Sequence, residues 1–174
     1  MNKEQDHIIN KYIWNELKMT DPRFTTRVNK GFGDITTIDP MWQIMKMTEL
    51  FGPVGHGWKW EANYNFTEKF VSVQVMIFWK DIMSKKDEYS YGPVCSIQKL
   101  YAKTGALRDE APKIAMTDAL TKGLSHLGLS ADVFLGMHDS SKYVEKITQE
   151  INDSIVNKSK IKVVSDGKTK KNLG

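Results

Sequence analysis

Lys113, Thr117, Thr121, Lys122 and Ser125 are the residues of this chain best placed to act together, because all five lie in one stretch, residues 109–128, reading DEAPKIAMTDALTKGLSHLG. Ammonium and hydroxyl groups on one side of a helix can all donate to the oxygens of a phosphate chain. The stretch also carries the signals of its own helix. Asp109 and Glu110 put negative charge at the positive end of the dipole, and Pro112 suits a first-turn position. Gly128 can turn left-handed and end the helix. Met116, Leu120, Leu124 and Leu127 recur at three- and four-residue steps and make an apolar stripe. One reading is an amphipathic helix packed on a sheet. The other is a helix whose polar side, with Lys122 and the small hydroxyls, faces phosphates. The helix alone does not separate them.

Other chemistry is thinly represented. His7, His56, His126 and His138 fall on different elements and have no metal-ligand spacing with Cys95. There is no GxSxG, no Walker A loop and no HExxH. Asp118 precedes Lys122 by one helical turn and reads as its ion-pair partner. Asp87-Glu88 and Asp109-Glu110 are paired acids of the kind a metal-dependent nuclease uses, but acids at turns and helix starts are usually solvated or capping. Cys95 is the only cysteine, so no intrachain disulfide forms and a reducing cytoplasm fits; the residue reads as a buried strand position. No cofactor is implied. The reading is of a binding protein and not an enzyme.

Charge is unevenly distributed over the 174 residues. The net charge is +4, yet six lysines (Lys158, Lys160, Lys162, Lys168, Lys170, Lys171) and one acid, Asp166, lie after residue 156. Of the 25 basic and 21 acidic side chains, 19 and 20 therefore belong to residues 1–156. A nearly neutral body that binds a polyanion must focus a few cations into a groove. The division expected is a folded domain over residues 1–151 and a basic, flexible tail over 152–174. No apolar run is long enough to span a bilayer, and the N-terminus MNKEQDHIIN lacks the apolar centre of a signal peptide, so a cytoplasmic location without membrane contact is expected.

The pattern predicts an α+β fold. Residues 4–19 read as a first helix with Ile8, Ile9, Tyr12, Ile13 and Leu17 on one side, ended before Pro22. Residues 24–28 and 35–38 read as a hairpin around a glycine-bearing loop that includes Lys30. Asp39 and Pro40 open a second helix, its buried face supplied by Met41, Ile44, Met45, Leu50 and Phe51. Three strands follow, at 58–66, 70–79 and 89–97. In the middle one Val71, Val73, Val75, Ile77 and Trp79 alternate with Phe70, Ser72, Gln74, Met76 and Phe78. Both sets are largely apolar, as in a strand covered on both faces or facing a neighbouring subunit. A loop bearing Lys99, Lys103 and Arg108 leads to the long helix, and residues 129–151 end in a last amphipathic helix. The core is thus a β-β-β-α unit, an antiparallel meander plus a long helix, preceded by helix, hairpin and helix.

This order resembles the single-strand DNA annealing proteins of the Rad fifty-two type and their phage relatives of the Sak, Erf and Redβ/RecT groups. The resemblance covers roughly residues 20–145 and is carried by FTTRVN (24–29), TELFGPVGHGWKWE (48–61) and KIAMTDALTKGLSHLGLSADVFLG (113–136). It implies single-stranded DNA in a positive groove between hairpin and sheet, bases outward, on rings or filaments of identical subunits. It implies ATP-independent annealing of complementary strands in recombination and repair, with an exonuclease or a single-strand-binding protein as companion. By position, Arg27 matches the groove arginine, Lys122 a basic residue of the signature helix, and Lys113 a further lysine. Thr121 and Ser125 stand where the family has basic residues; Lys30, Lys99, Lys103, Arg108 or the lysine tail are the compensating cations. The competing functions are a DNA-end protector that binds without annealing, and a metal-dependent nuclease.

Overall fold

A computed structural model of the chain describes residues 11–29, 31, 33–80 and 88–169, with side chains to residue 157. Lys30, His7, Asp87 and the lysines of the tail lie outside the described side chains. The fold is α+β. Helix α1 (residues 11–17) is followed by a short 3-10 turn, Pro22–Phe24, and the hairpin β1 (Thr25–Asn29) and β2 (Asp34–Ile38). Helix α2 (Pro40–Phe51), strands β3 (Trp58–Phe66), β4 (Phe70–Trp79) and β5 (Tyr89–Lys99), and helix α3 (Ala111–His126) come next. A one-turn helix α4 (Ala131–Phe134), a 3-10 turn (Met137–Asp139) and α5 (Ser141–Thr169) complete the described chain. The backbone of α5 crosses residue 151 without a break.

Two sheets form, an antiparallel pair β1-β2 and an antiparallel sheet in the order β3-β4-β5. Helix α3 lies over one face of the larger sheet, where Val71, Val73, Val75 and Ile77 are fully buried beneath it. The period-2 pattern of β4 therefore reads as expected on this face. The helix meets the sheet through Ala111, Ala115, Ala119 and Gly123, with Leu120 and Leu124 alongside. This corrects the expected stripe, since Met116 and Leu127 are only half-buried. The reason is closeness. A Cβ on Gly123 would come within 2.6 Å of Ile77 Cδ1, so small side chains let the helix seat directly on the valines.

The other face of the sheet is left partly open by the described residues. Phe70 is 40% and Ile97 61% exposed there. Along β4 on this face Met76 and Phe78 are half-buried and Gln74 is exposed. Cys95 pairs with Gln74 on this open face and is exposed, not buried. Helix α2 also turns differently from expectation. Trp42, Gln43, Met47 and Phe51 are buried, whereas Met41 and Met45 face solvent. Two helical stripes were available, and the one that buries the Trp42 ring against Phe24 is adopted. Tyr12 of α1 is likewise exposed.

Hairpin and helix ends follow local chemistry. Asp39 accepts from Met41 N at 2.7 Å and caps α2. Asn29 bridges the hairpin loop by accepting from Gly31 N and donating to Asp34, while Gly31 at φ 81° makes the turn. The loop after α2 returns so tightly that a Cβ on Gly57 would lie 1.5 Å from Phe51 O.

Candidate nucleic-acid interface

Helix α3 separates the candidate cations into two groups. Lys99, Lys103 and Arg108 lie at or before its N-terminal end, near Lys113, and Lys122 lies nine residues further on, about 13 Å along the axis. Lys99, Lys103 and Lys113 are exposed. Arg108 is half-buried, donating to Glu110 Oε1 at 3.3 Å and reaching toward Lys99 O.

At the C-terminal end, the chain between α4 and α5 approaches both remaining candidates. Lys122 is exposed, and its Nζ lies 5.4 Å from the centroid of the Phe134 ring, within cation–π range. Arg27 is on the hairpin face shared with Thr25 and Thr36, with Nη2 3.6 Å from Asp139 Oδ1 and 3.5 Å from Asp139 O. Both side chains are more than half exposed, so this is a loose ion pair. Two residues 95 positions apart in sequence thus meet one stretch, residues 134–139. Between them Phe134, Leu135 and Met137 are 47%, 73% and 41% exposed.

Beside Arg27 opens a cleft of about 580 Å³, lined by hairpin residues Thr25, Arg27 and Thr36 and by His138, Asp139 and Glu145 among others. Its charge is mixed, one guanidinium against two carboxylates. No group of three or more His, Cys, Asp and Glu side chains that could hold a metal ion occurs among the described residues.

The Thr121 and Ser125 hydroxyls of α3 are engaged inside the protein. Thr121 Oγ1 donates to Gln43 Oε1 at 2.8 Å, and Ser125 Oγ donates to Lys122 O at 2.7 Å. Gln43 is 2% exposed, and its Nε2 finds no partner among the described residues. Asp118 does not pair with Lys122 as expected; it accepts from Gln98 Nε2 at 3.0 Å, because β5 reaches it across the sheet edge. That leaves Lys122 turned toward Phe134. His126 lies 2.6 Å from the Tyr91 hydroxyl.

Sequence reasoning missed the groups behind this surface. Asp132 is 3% exposed and is bonded by residues of three elements. It accepts from Thr20 N at 2.9 Å, Thr20 Oγ1 at 2.6 Å, His138 Nε2 at 3.0 Å and the Tyr143 hydroxyl at 3.0 Å. Burial, and then the adjacent Asp132 carboxylate, push the Tyr143 phenol above its usual range, so it remains a donor. In sequence, Asp132 two residues after Ser130 looks like a first-turn acid, and nothing local announces its partner 112 residues away.

No known family model matches the chain, and no curated protein does. Among the described residues no helix is long and apolar enough to cross a membrane.

Proposed function

We propose that this chain binds single-stranded DNA without sequence preference and anneals complementary strands without ATP, as a homo-oligomer whose subunits contribute to one continuous interface. The observation that supports this most is the convergence of Arg27 and Lys122 on the 134–139 stretch. Arginine and lysine hold phosphates regardless of sequence, as annealing of arbitrary complements requires. Exposed Phe134, Leu135 and Met137 between the two cations offer apolar surface to unstacked bases. The body is close to neutral, so one subunit contributes few contacts, and repetition along a strand makes them additive. Phe70 and Ile97, exposed on one face of the β3-β4-β5 sheet, are surface that a neighbouring subunit can share. Lys99, Lys103, Arg108 and Lys113 lie at the other end of α3, where they can extend the phosphate path.

The test is an annealing assay with complementary oligonucleotides in EDTA and without nucleotide. Annealing is expected for the wild type and is lowered by Arg27→Ala and Lys122→Glu, equally for unrelated sequences. Binding without annealing would indicate an end protector. Strand cleavage that needs a divalent ion would indicate a nuclease.

A further inference from the structure

The stretch 134–139 is weakly held by its own bonds. Leu135 N, Gly136 N, Asp139 N and Ser140 N donate to carbonyls three or four residues back. Its large apolar side chains, Phe134, Leu135 and Met137, are exposed, so their packing adds little. What ties it to the body is Asp132, which precedes it. The start of this segment is already stitched to the end of α1, because Ser130 N donates to Leu17 O and Asp132 N to Lys18 O. The Thr20 bonds to the carboxylate reinforce that same seam. His138 and Tyr143 are different. Through them the carboxylate reaches forward across the turn and holds the residue before Asp139 and the first turn of α5. The two rings also meet edge-on, with centroids 5.6 Å apart.

We propose that Asp132, His138 and Tyr143 are positioning residues that fix the 134–139 stretch so that Arg27 and Lys122 face one phosphate path; this rests on the interface proposed above. A buried carboxylate is expensive to desolvate and is not needed to close a seam that backbone bonds already close. Its further use is to set the far side of the turn. With the tie cut, Phe134 and Asp139 move independently of α3 and of the hairpin, and one cation at a time meets the strand.

The variants are Tyr143→Phe, which removes one hydroxyl, and His138→Phe, which removes the ring donor; His138→Gln keeps a donor and serves as rescue. Affinity for a fluorescent oligothymidylate is measured over a salt series well below each variant's Tm, alongside amide exchange of the free protein. The expected result is a salt slope shallower by about 0.7 in Tyr143→Phe and His138→Phe, the loss of one single-strand phosphate contact. Arg27→Ala gives a similar loss, the combination gives no further loss, and His138→Gln restores the slope. Amide exchange rises at Leu135, Gly136, Asp139 and Ser140 but not at Ser130 or Asp132. A lower Tm with an unchanged slope overturns the proposal and leaves the three residues as fold stabilisers. An unchanged slope in Arg27→Ala itself rejects the interface, and the proposal with it. Exchange that rises equally at Ser130 shows general loosening and also overturns it.

Discussion

Adding charge at Thr121 is the direct way to strengthen the proposed interface, and the hydrogen bonds of that side chain set its cost. Among the described residues, Thr121 Oγ1 makes the one hydrogen bond to the buried side-chain amide of Gln43, whose Nε2 finds no partner there. Thr121→Val removes the donor and leaves the whole amide unsatisfied. Leaving a buried carbonyl without its partner costs about 1–3 kcal/mol, and a loss of that size is expected. In a chain of this length that lowers Tm by roughly 2–12 °C. Gln43→Met removes both amide groups, while Thr121, half-buried, can turn its hydroxyl to water. That single change should be within about 1 kcal/mol of neutral. The double variant Gln43→Met/Thr121→Val then recovers most of the loss, a coupling of about 1–2 kcal/mol measured by denaturant unfolding. A neutral Thr121→Val, or a double variant as unstable as the sum of the singles, would refute the reasoning. The same cycle decides the charge experiment. Thr121→Lys is destabilising alone, but in the Gln43→Met background it should deepen the single-strand salt slope by about 0.7.

Three further perturbations follow from the geometry. Gly57→Ala drives a methyl group into Phe51 O, 1.5 Å from its ideal position, and should cost about 3 kcal/mol, read as a lower denaturation midpoint; a neutral substitution excludes this loop path. Asp21 is partly buried, which raises its carboxyl, but hydrogen bonds from the Arg23 side chain and backbone outweigh this and hold it below the ordinary carboxylate range. Its folded form therefore binds the proton less readily than the unfolded chain, so its stabilisation is present at neutral pH and lost as pH falls through about 4 and below. The Tm difference between wild type and Asp21→Asn should shrink across that window; a difference independent of pH rejects the pairing. Asp139→Asn removes the carboxylate beside Arg27 and should tighten single-strand binding about two- to threefold at low salt, as for an exposed ion pair; unchanged affinity means Arg27 does not meet DNA.

Much of the architecture was legible because it rests on period and punctuation. The valines at alternate positions of β4 could face only one way, and Asp39-Pro40 and Gly128 mark helix ends by local chemistry. The contact face of α3 was legible only in part: Leu120 and Leu124 are buried as expected, with Met116 and Leu127 half-buried against the core. Hydrophobicity favours its leucines, whereas the sheet accepts Ala111, Ala115, Ala119 and Gly123, which announce themselves only by being small. Helix α2 offered two stripes, and the choice depended on where Trp42 finds Phe24. Cys95 is exposed because the described residues place no second layer on its face of the sheet, and no local pattern announces that. The candidate cations were visible as residue types and by resemblance, but Arg27 and Lys122 share a surface only because α4 and the turn after it run between them.

The electrostatics of that surface bear on why assembly belongs to the proposed function. Arg27 has Asp139 and Glu145 in its cleft, and Lys122 has one aromatic ring and, among the described residues, no carboxylate within ion-pair distance. A strand touching one subunit gains two phosphate contacts at most from these residues, partly offset by two acids. Contacts of this kind are weak singly and are screened within about 10 Å at moderate salt. Under the proposed function, that weakness would give selectivity for long single strands. A short stretch of DNA would be released, a strand crossing many copies would be held, and each copy would let go easily enough for a complementary strand to pair.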